Sequence, residues 1–270
     1  MTGWEAGWLG VVEGITEYLP VSSTGHLVLA GHALGLKGDA VDSFDIVIQF
    51  GAILAVVIHF RELLVKHARG LLARDPVSVQ LALALALAFV PSAAVGLVAR
   101  KAIKKALFHP TPIAIAWLAG GLLMLAMELR RSRVGPGTEV GLEKVTPKRG
   151  LIIGLAQCLA LIPGTSRSMV TLISGELTGL ALATAAEFSF LLGLMTLTVA
   201  SAYEGIKERE VLMTLGVEPM LVGMVVSFLV AWAVVAGFLA YLQKRGLWPF
   251  AIYRLALGVV VLMSPALMGG

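Results

Sequence analysis

The chain has 270 residues, of which 58% are apolar and 14% charged, and its formal net charge is +4. Soluble globular domains contain about 45–50% apolar residues, so this composition excludes an ordinary soluble protein. Most of the 21 basic residues lie in polar connections between apolar runs, as expected for charge that faces a membrane surface and not nucleic acid. We therefore predict an integral membrane protein.

Eight apolar segments follow along the chain, near residues 7–35, 44–60, 79–99, 112–129, 150–176, 184–202, 219–243 and 249–268. Most are long enough for an α-helix to cross about 30 Å of hydrocarbon. Proline, glycine and hydroxyl residues interrupt the first segment at 20–26 and the fifth at 163–168. Lipid does not tolerate exposed irregular backbone, so each interruption predicts a re-entrant helix-loop-helix that is covered by protein or by a wet cavity.

The two halves of the chain match in spacing. Pro20 precedes Gly51 by 31 residues, Pro163 precedes Gly193 by 30, and segments 112–119 and 249–256 share five of eight positions. These matches predict a single all-α polytopic membrane domain over 1–270, made of two inverted-topology repeats. Each repeat has one re-entrant helix-loop-helix and three transmembrane helices. Repeat one covers about 1–130, a linker about 131–149 and repeat two about 150–270.

The distribution of basic residues predicts the orientation. The connections 61–78, 130–150 and 243–248 hold twelve Lys and Arg residues, whereas those on the opposite side hold seven. Because cytoplasmic loops carry the excess of Lys and Arg, the first group is predicted to be cytoplasmic and both termini to lie outside.

The first broken segment contains two carboxylates and a histidine. Glu13 and Glu17 are four residues apart, so they share one helix face and repel each other. A divalent cation or a cationic partner such as Arg167 would offset their charge, and the alternative is a helix end exposed to headgroup water. His26 is suited to exchange a proton near neutral pH. The hydroxyl residues before it can cap a helix, bind an anion at the helix N-terminus, or do both: Ser22, Ser23 and Thr24.

The second broken segment supplies a guanidinium among hydroxyls. Its polar positions are Gly164, Thr165, Ser166, Arg167, Ser168 and Thr171. Arg167 offers a planar fork that suits bidentate binding of phosphate, and the alternative is a structural ion pair with Glu13, Glu17 or Glu176. Carboxylates on one wall and a guanidinium on the other suit a metal-bound pyrophosphate. Hard oxygen ligands favour Mg²⁺ or Ca²⁺ as the cofactor.

These motifs closely resemble those of a known family. Residues Gly10 to His26, and Pro163 to Ser168 with Thr171, are similar to the two signature motifs of the undecaprenyl-pyrophosphate phosphatase family, also called the bacitracin-resistance protein family. The resemblance covers the whole chain, including Phe44 to Gly51. It implies a hydrolase that removes the terminal phosphate of undecaprenyl pyrophosphate, returns the lipid carrier to peptidoglycan synthesis and confers bacitracin resistance.

The resemblance also implies residue roles. Glu13 and Glu17 would hold the metal, and Ser23 would be the nucleophile or would orient a metal-bound water that attacks instead. His26 would be the general acid or base, and Arg167 would complete the catalytic set with Glu17, Ser23 and His26. The phosphate would be bound by Arg167 and by the remaining polar positions of the two loops: Ser22, Thr24, Gly164, Thr165, Ser166, Ser168 and Thr171.

The implied environment is the bacterial plasma (inner) membrane, with the site open to the outer, periplasmic face. The expected partners are a polyprenyl pyrophosphate lipid and the surrounding membrane lipids, without nucleic acid, and a homodimer is left open. A different class of function is a lipid-carrier flippase or a secondary transporter, since inverted repeats and broken helices occur in both.

Overall fold

A computed structural model describes residues 1–36 and 39–264, apart from the side chains at positions 39–42, 100 and 104. Every regular element within these residues is helical. The α-helices in chain order are α1 (Gly3–Thr16), α2 (Ser23–Ala33), α3 (Asp39–His59), α4 (Arg61–Leu72), α5 (Pro76–Leu107), α6 (Pro110–Val134), α7 (Pro147–Gln157), α8 (Arg167–Leu177), α9 (Leu182–Lys207), α10 (Arg209–Leu212), α11 (Val217–Leu242) and α12 (Trp248–Met263). Short 3₁₀ turns cover Leu142–Lys144 and Cys158–Leu161.

Four helices are long and apolar enough to cross a membrane, namely α6, α9, α11 and the part of α5 from Pro76 to Ala99. A fifth span results if Ser43–His59 and α4 are counted together, although the chain bends by 72° between them. The predicted span near 249–268 corresponds to α12, which has 16 residues, and its last positions lie outside the described residues. The prediction of an all-helical, multi-pass membrane protein is confirmed.

The first and fifth apolar segments are each broken into a helix-loop-helix, as predicted. The first comprises α1 and α2, and the second comprises α7, a 3₁₀ turn and α8. The second helix of each pair begins directly after a serine with left-handed backbone, Ser22 at φ 74° and Ser166 at φ 75°. Few residues other than glycine adopt this conformation, so its recurrence marks a shared and demanding turn. After each turn, the second helix packs against the first.

Small residues let the broken segments pack closely on long helices. An added Cβ at Gly10 would lie 2.5 Å from a backbone oxygen of α11, and one at Gly14 would lie 2.8 Å from another. Gly150 and Gly154 approach the backbone of α5 in the same way, with added Cβ distances of 2.3 and 2.5 Å. Glycines four residues apart are a common device for close helix contact in membranes. Each broken segment thus packs against a helix of the other half of the chain.

The two loops meet inside this helical assembly. The Ser168 hydroxyl donates to the Leu19 carbonyl at 2.8 Å, which joins the second loop to the first. The Trp117 indole of α6 donates to the Val21 carbonyl at 2.8 Å. The Tyr18 hydroxyl donates to the Ala52 carbonyl of α3 at 2.9 Å. Side chains of neighbouring elements therefore hold the first broken segment in place.

Candidate functional site

A carboxylate, a hydroxyl and a guanidinium from the two loops form one cluster. The Ser23 hydroxyl donates to Oε2 of Glu17 at 2.5 Å, and Nη2 of Arg167 donates to Oε1 of the same carboxylate at 3.3 Å. Glu17 is buried, and the Arg167 side chain retains only 11% of its exposure. Glu17 and Arg167 are 150 residues apart, so the folding of both segments is needed to bring them together. The ion pair between Arg167 and Glu17, predicted from the sequence as an alternative to phosphate binding, is therefore present.

Arg167 is oriented by α9. Its Nη1 donates to the Ser189 carbonyl at 2.8 Å, and Gly193 leaves space for the guanidinium where a larger side chain would collide with it. Its Nε is buried and has no hydrogen-bond partner. An unsatisfied donor on a buried cation is costly, so this nitrogen favours an anionic partner.

Glu13 lies one helical turn before Glu17 and is 1% exposed. The alternative of a helix end exposed to headgroup water is therefore wrong, because both carboxylates are buried. The Oε1 atom of Glu13 has no hydrogen-bond partner.

Mg²⁺ sites commonly use one or two carboxylates together with substrate phosphate oxygens and water. An unpartnered buried carboxylate oxygen beside a second carboxylate fits that pattern. Among the described residues, no group of three or more His, Cys, Asp or Glu side chains is arranged to hold a metal ion.

The hydroxyls of the second loop mainly hold protein together. Ser166 caps α8 by accepting from the Met169 amide at 3.3 Å, and it lies 3.0 Å from the Ser168 hydroxyl. Thr171 donates to the Arg167 carbonyl at 2.9 Å and lies 2.6 Å from the Ser189 hydroxyl. These contacts fix the backbone that carries Arg167.

The start of α2 differs from the start of α8. Ser22 occupies the N-cap position, but its side chain makes no capping hydrogen bond. The first amides of α2 are therefore not satisfied by their cap residue and favour an anion at that end. Thr24 is partly buried within this first turn, beside Ser23.

Two positions of the second loop contribute chiefly through their backbone. Gly164 has φ +88°, and an added Cβ would lie 2.6 Å from the Ile113 carbonyl of α6, so close approach explains the glycine. Thr165 is partly buried, and its amide donates to the Ile162 carbonyl at 3.1 Å.

His26 is held in a defined tautomer by Ser22 and Tyr253. Its Nδ1 lies 2.7 Å from the Ser22 carbonyl, which can only accept, so Nδ1 carries the proton. In the neutral ring, Nε2 then accepts from the Tyr253 hydroxyl at 2.7 Å. The two rings stack with centroids 5.7 Å apart. Nε2 is thus the nitrogen of His26 that can accept a proton, and in this structure it is hydrogen-bonded to the Tyr253 hydroxyl.

Arg254 was missed as a site residue, and so was its neighbour Tyr253. Arg254 is fully buried in α12 and bonds to carbonyls of both loops. The sequence did contain a signal for Arg254, namely an arginine in an otherwise apolar helix. An ionisable residue at membrane depth needs a partner, so it marks a position with a specific role.

Glu176 pairs away from the Glu17 cluster. It accepts from Arg131 through two hydrogen bonds of 2.8 and 2.7 Å, and Arg131 also contacts Glu128 at 2.9 Å. Glu128 in turn accepts from the Leu247 amide at 2.6 Å. The interpretation of Glu176 as the partner of Arg167 is therefore wrong. This second network joins the end of α8 to the end of α6 and the start of α12.

The fold and this cluster define a multi-pass membrane protein with a buried polar cluster between two broken helical segments. The chain belongs to the family of the bacitracin resistance protein BacA, whose family model matches residues 6–260.

Its relatives carry a common name. An undecaprenyl-diphosphatase of Sorangium cellulosum (strain So ce56) is 52% identical over 265 residues, which is 97% of this chain and 86% of that protein. An undecaprenyl-diphosphatase 2 of Rhodospirillum rubrum is 47% identical, covering 96% of this chain and 94% of the relative. An undecaprenyl-diphosphatase of Nitrosomonas europaea is 43% identical, covering 95% and 92%.

Proposed function

We propose that this protein is an undecaprenyl-diphosphatase, which hydrolyses undecaprenyl pyrophosphate to undecaprenyl phosphate and phosphate in the membrane. The observation that carries the proposal is the contact of Glu17 with both Ser23 and Arg167, because it joins a polarised hydroxyl to a phosphate-binding cation. Phosphoryl transfer depends mainly on positioning and on neutralising charge, and this cluster supplies both.

Glu17 and Arg167 have complementary tasks in this reaction. The Glu17 carboxylate accepts the Ser23 hydroxyl proton in a hydrogen bond, which raises the electron density on the serine oxygen. The Arg167 guanidinium offers its unpartnered Nε to a phosphate oxygen. Either a water that Ser23 orients or the Ser23 oxygen itself attacks the terminal phosphorus, its proton passes to Glu17, and the bond to the bridging oxygen breaks. The leaving group is undecaprenyl phosphate. If Ser23 attacks, a water then hydrolyses the phosphoserine and releases phosphate.

The pyrophosphate would lie between the start of α2 and Arg167. The uncapped amides of α2 and the nearby Thr24 side chain suit one phosphate group. The hydroxyls of Ser168 and Thr171 already bond within the protein, so their contribution to binding is to hold Arg167 in place. Ser22, Gly164, Thr165 and Ser166 shape the turns that bring the two helix starts together.

Glu13 and Glu17 would hold a Mg²⁺ or Ca²⁺ ion together with oxygen atoms of the pyrophosphate. The bound ion would supply neutralisation of phosphate charge. The unpartnered Oε1 of Glu13 supports this assignment. His26, with a proton on Nδ1, has the Nε2 atom available for proton exchange once Tyr253 releases it.

Two inverted repeats, about 1–130 and about 150–270, account for the architecture. The matching left-handed serines before α2 and α8 support this, as does the reciprocal packing of α1 on α11 and α7 on α5. The matched segments 112–119 and 249–256 also lie on α6 and α12, which pack against each other.

The site would open to the periplasmic face, with both termini outside. The excess of basic residues in 61–78, 130–150 and 243–248 supports this orientation. A single reactive cysteine placed in the 130–150 connection of a Cys158→Ser background should resist an impermeant thiol reagent in intact cells. Rapid labelling there would show that the 130–150 connection faces outward, and the proposed orientation would then be wrong.

A lipid-carrier flippase or secondary transporter is the second candidate, and the reciprocal packing of the broken segments favours it. A carrier needs groups that bind pyrophosphate but has no use for a serine hydroxyl bonded to a buried carboxylate. Phosphate release from undecaprenyl pyrophosphate by the purified protein in detergent decides between them. Steady turnover that Ser23→Ala lowers by at least about 100-fold supports the phosphatase. Lipid binding without turnover would support the carrier.

A further inference from the structure

Arg254 is a fully buried cation on α12 whose partners are all backbone carbonyls. Its guanidinium makes five hydrogen bonds of 2.9 to 3.4 Å. Two of the acceptors lie on α6, at Ala116 and Trp117. The other three belong to the broken loops, at Pro20 in the first and at Gly164 and Thr165 in the second. One side chain thus binds both loops and the helix beside them.

The chemistry of arginine suits this place. A charged group at membrane depth is costly unless it is paired, and charge-assisted hydrogen bonds to carbonyls offset that cost. The three loop carbonyls gain equally, because a broken helix leaves them without the amides that a continuous helix would supply. A lysine has a single nitrogen and three donors, so it cannot reach the same set of carbonyls from one position.

The acceptors are adjacent in sequence to the catalytic cluster. Pro20 lies three residues after Glu17 and three before Ser23, and Thr165 lies two before Arg167. A nitrogen shared between the Pro20 and Thr165 carbonyls, each at 3.1 Å, fixes the distance between the two loops. That distance sets whether Glu17 and Arg167 meet.

We propose that Arg254 is a positioning residue that holds the two loops in register, so that the Glu17, Ser23 and Arg167 side chains form one site. Its hydrogen bonds all go to backbone carbonyls, so it acts through the loop backbone. The inference rests on the proposed phosphatase function for its kinetic consequences, but the coupling of the loops can be measured without any substrate.

Two variants test Arg254 in different ways. Arg254→Lys keeps the charge and loses most of the carbonyl contacts. Gly120→Ala keeps the arginine but displaces it, because an added Cβ at this α6 position would lie 2.1 Å from Nη2 of Arg254. Gly237→Ala on α11 is the matched control, since an added Cβ there meets no atom within 4 Å.

The first readout is amide hydrogen exchange of the purified protein in lipid nanodiscs. Both variants should raise exchange of the segments 17–23 and 162–168 by at least about tenfold, with exchange in α9 and α11 unchanged. Exchange that rises throughout the chain would make Arg254 a general stabiliser and overturn the proposal. Loops as protected as those of the wild type and of Gly237→Ala would also overturn it.

The second readout is the kinetics of phosphate release. The turnover number should fall by about 100-fold in both variants, while the KM should change by less than about threefold, because the prenyl chain still binds. A raised KM with unchanged turnover would overturn the positioning role. If the wild-type protein released no phosphate, the proposed function would fail, and the exchange measurement would still decide the coupling of the loops.

Discussion

Substituting Gly193 by alanine should disable the site without removing any functional group. The new Cβ would lie 2.5 Å from Nη1 and 2.6 Å from Cζ of Arg167, whereas ordinary contact begins near 3.4 Å. The guanidinium must then move by about 0.9 Å, because α9 is packed and the arginine tip is the more mobile partner. The movement strains the bonds from Arg167 to Ser189 and to Glu17. A displacement near 1 Å can lower turnover by about 100-fold.

The assay is kcat/KM for phosphate release from undecaprenyl pyrophosphate, beside thermal unfolding of the same preparation. Stability should stay near that of the wild type, since alanine is favoured over glycine in a helix interior by roughly 0.5–1 kcal/mol. Gly205→Ala, also on α9, is the control, because an added Cβ there meets nothing within 4 Å. Wild-type activity in a folded Gly193→Ala protein would refute the placement of Arg167 against α9.

Three further outcomes are expected. If bound metal is first removed by a chelator, Glu13→Gln should raise the Mg²⁺ or Ca²⁺ concentration needed for half-maximal activity by at least about tenfold. An unchanged metal titration would show that Glu13 is not part of the ion site. Arg131→Met should lower stability by about 3–5 kcal/mol, because it leaves the buried Glu176 carboxylate unpaired, and the exposed Arg130→Met should change it by less than about 0.5 kcal/mol. Gly164→Ala should lower the unfolding temperature, because φ is +88° and the α6 backbone leaves no room, and an unshifted midpoint would contradict that contact.

The sequence predicts the two broken segments well, because proline and hydroxyl runs inside apolar stretches have few compatible structures in lipid. It also brings Glu17 and Arg167 into one hypothesis, since each is costly at membrane depth without a partner, and the resemblance to the family adds Ser23. Contacts between residues that are far apart in the chain cannot be predicted from the sequence in this way. The stacking of His26 on Tyr253 links residues 227 apart in the chain. Nothing local in either segment indicates that contact.

Arg254 illustrates a different gap. Its position in the repeat match is occupied by Trp117 in the first half, so the comparison of halves hides it. Its partners are carbonyls, which every residue has and which no side-chain pattern reveals. The chain also bends by 72° between α3 and α4, where His59, Phe60 and Arg61 include neither proline nor glycine, so no residue of the sequence marks the bend.

The central claim is that Glu17 of the first loop and Arg167 of the second act as one site. A double-mutant cycle tests it, with phosphate release measured for the wild type, Glu17→Gln, Arg167→Ala and the combined variant at saturating Mg²⁺. Each single change should lower kcat/KM by at least about 100-fold, and the combined change by little more than the worse single one. Losses that multiply, or activity that survives either substitution, would contradict a site shared between the loops.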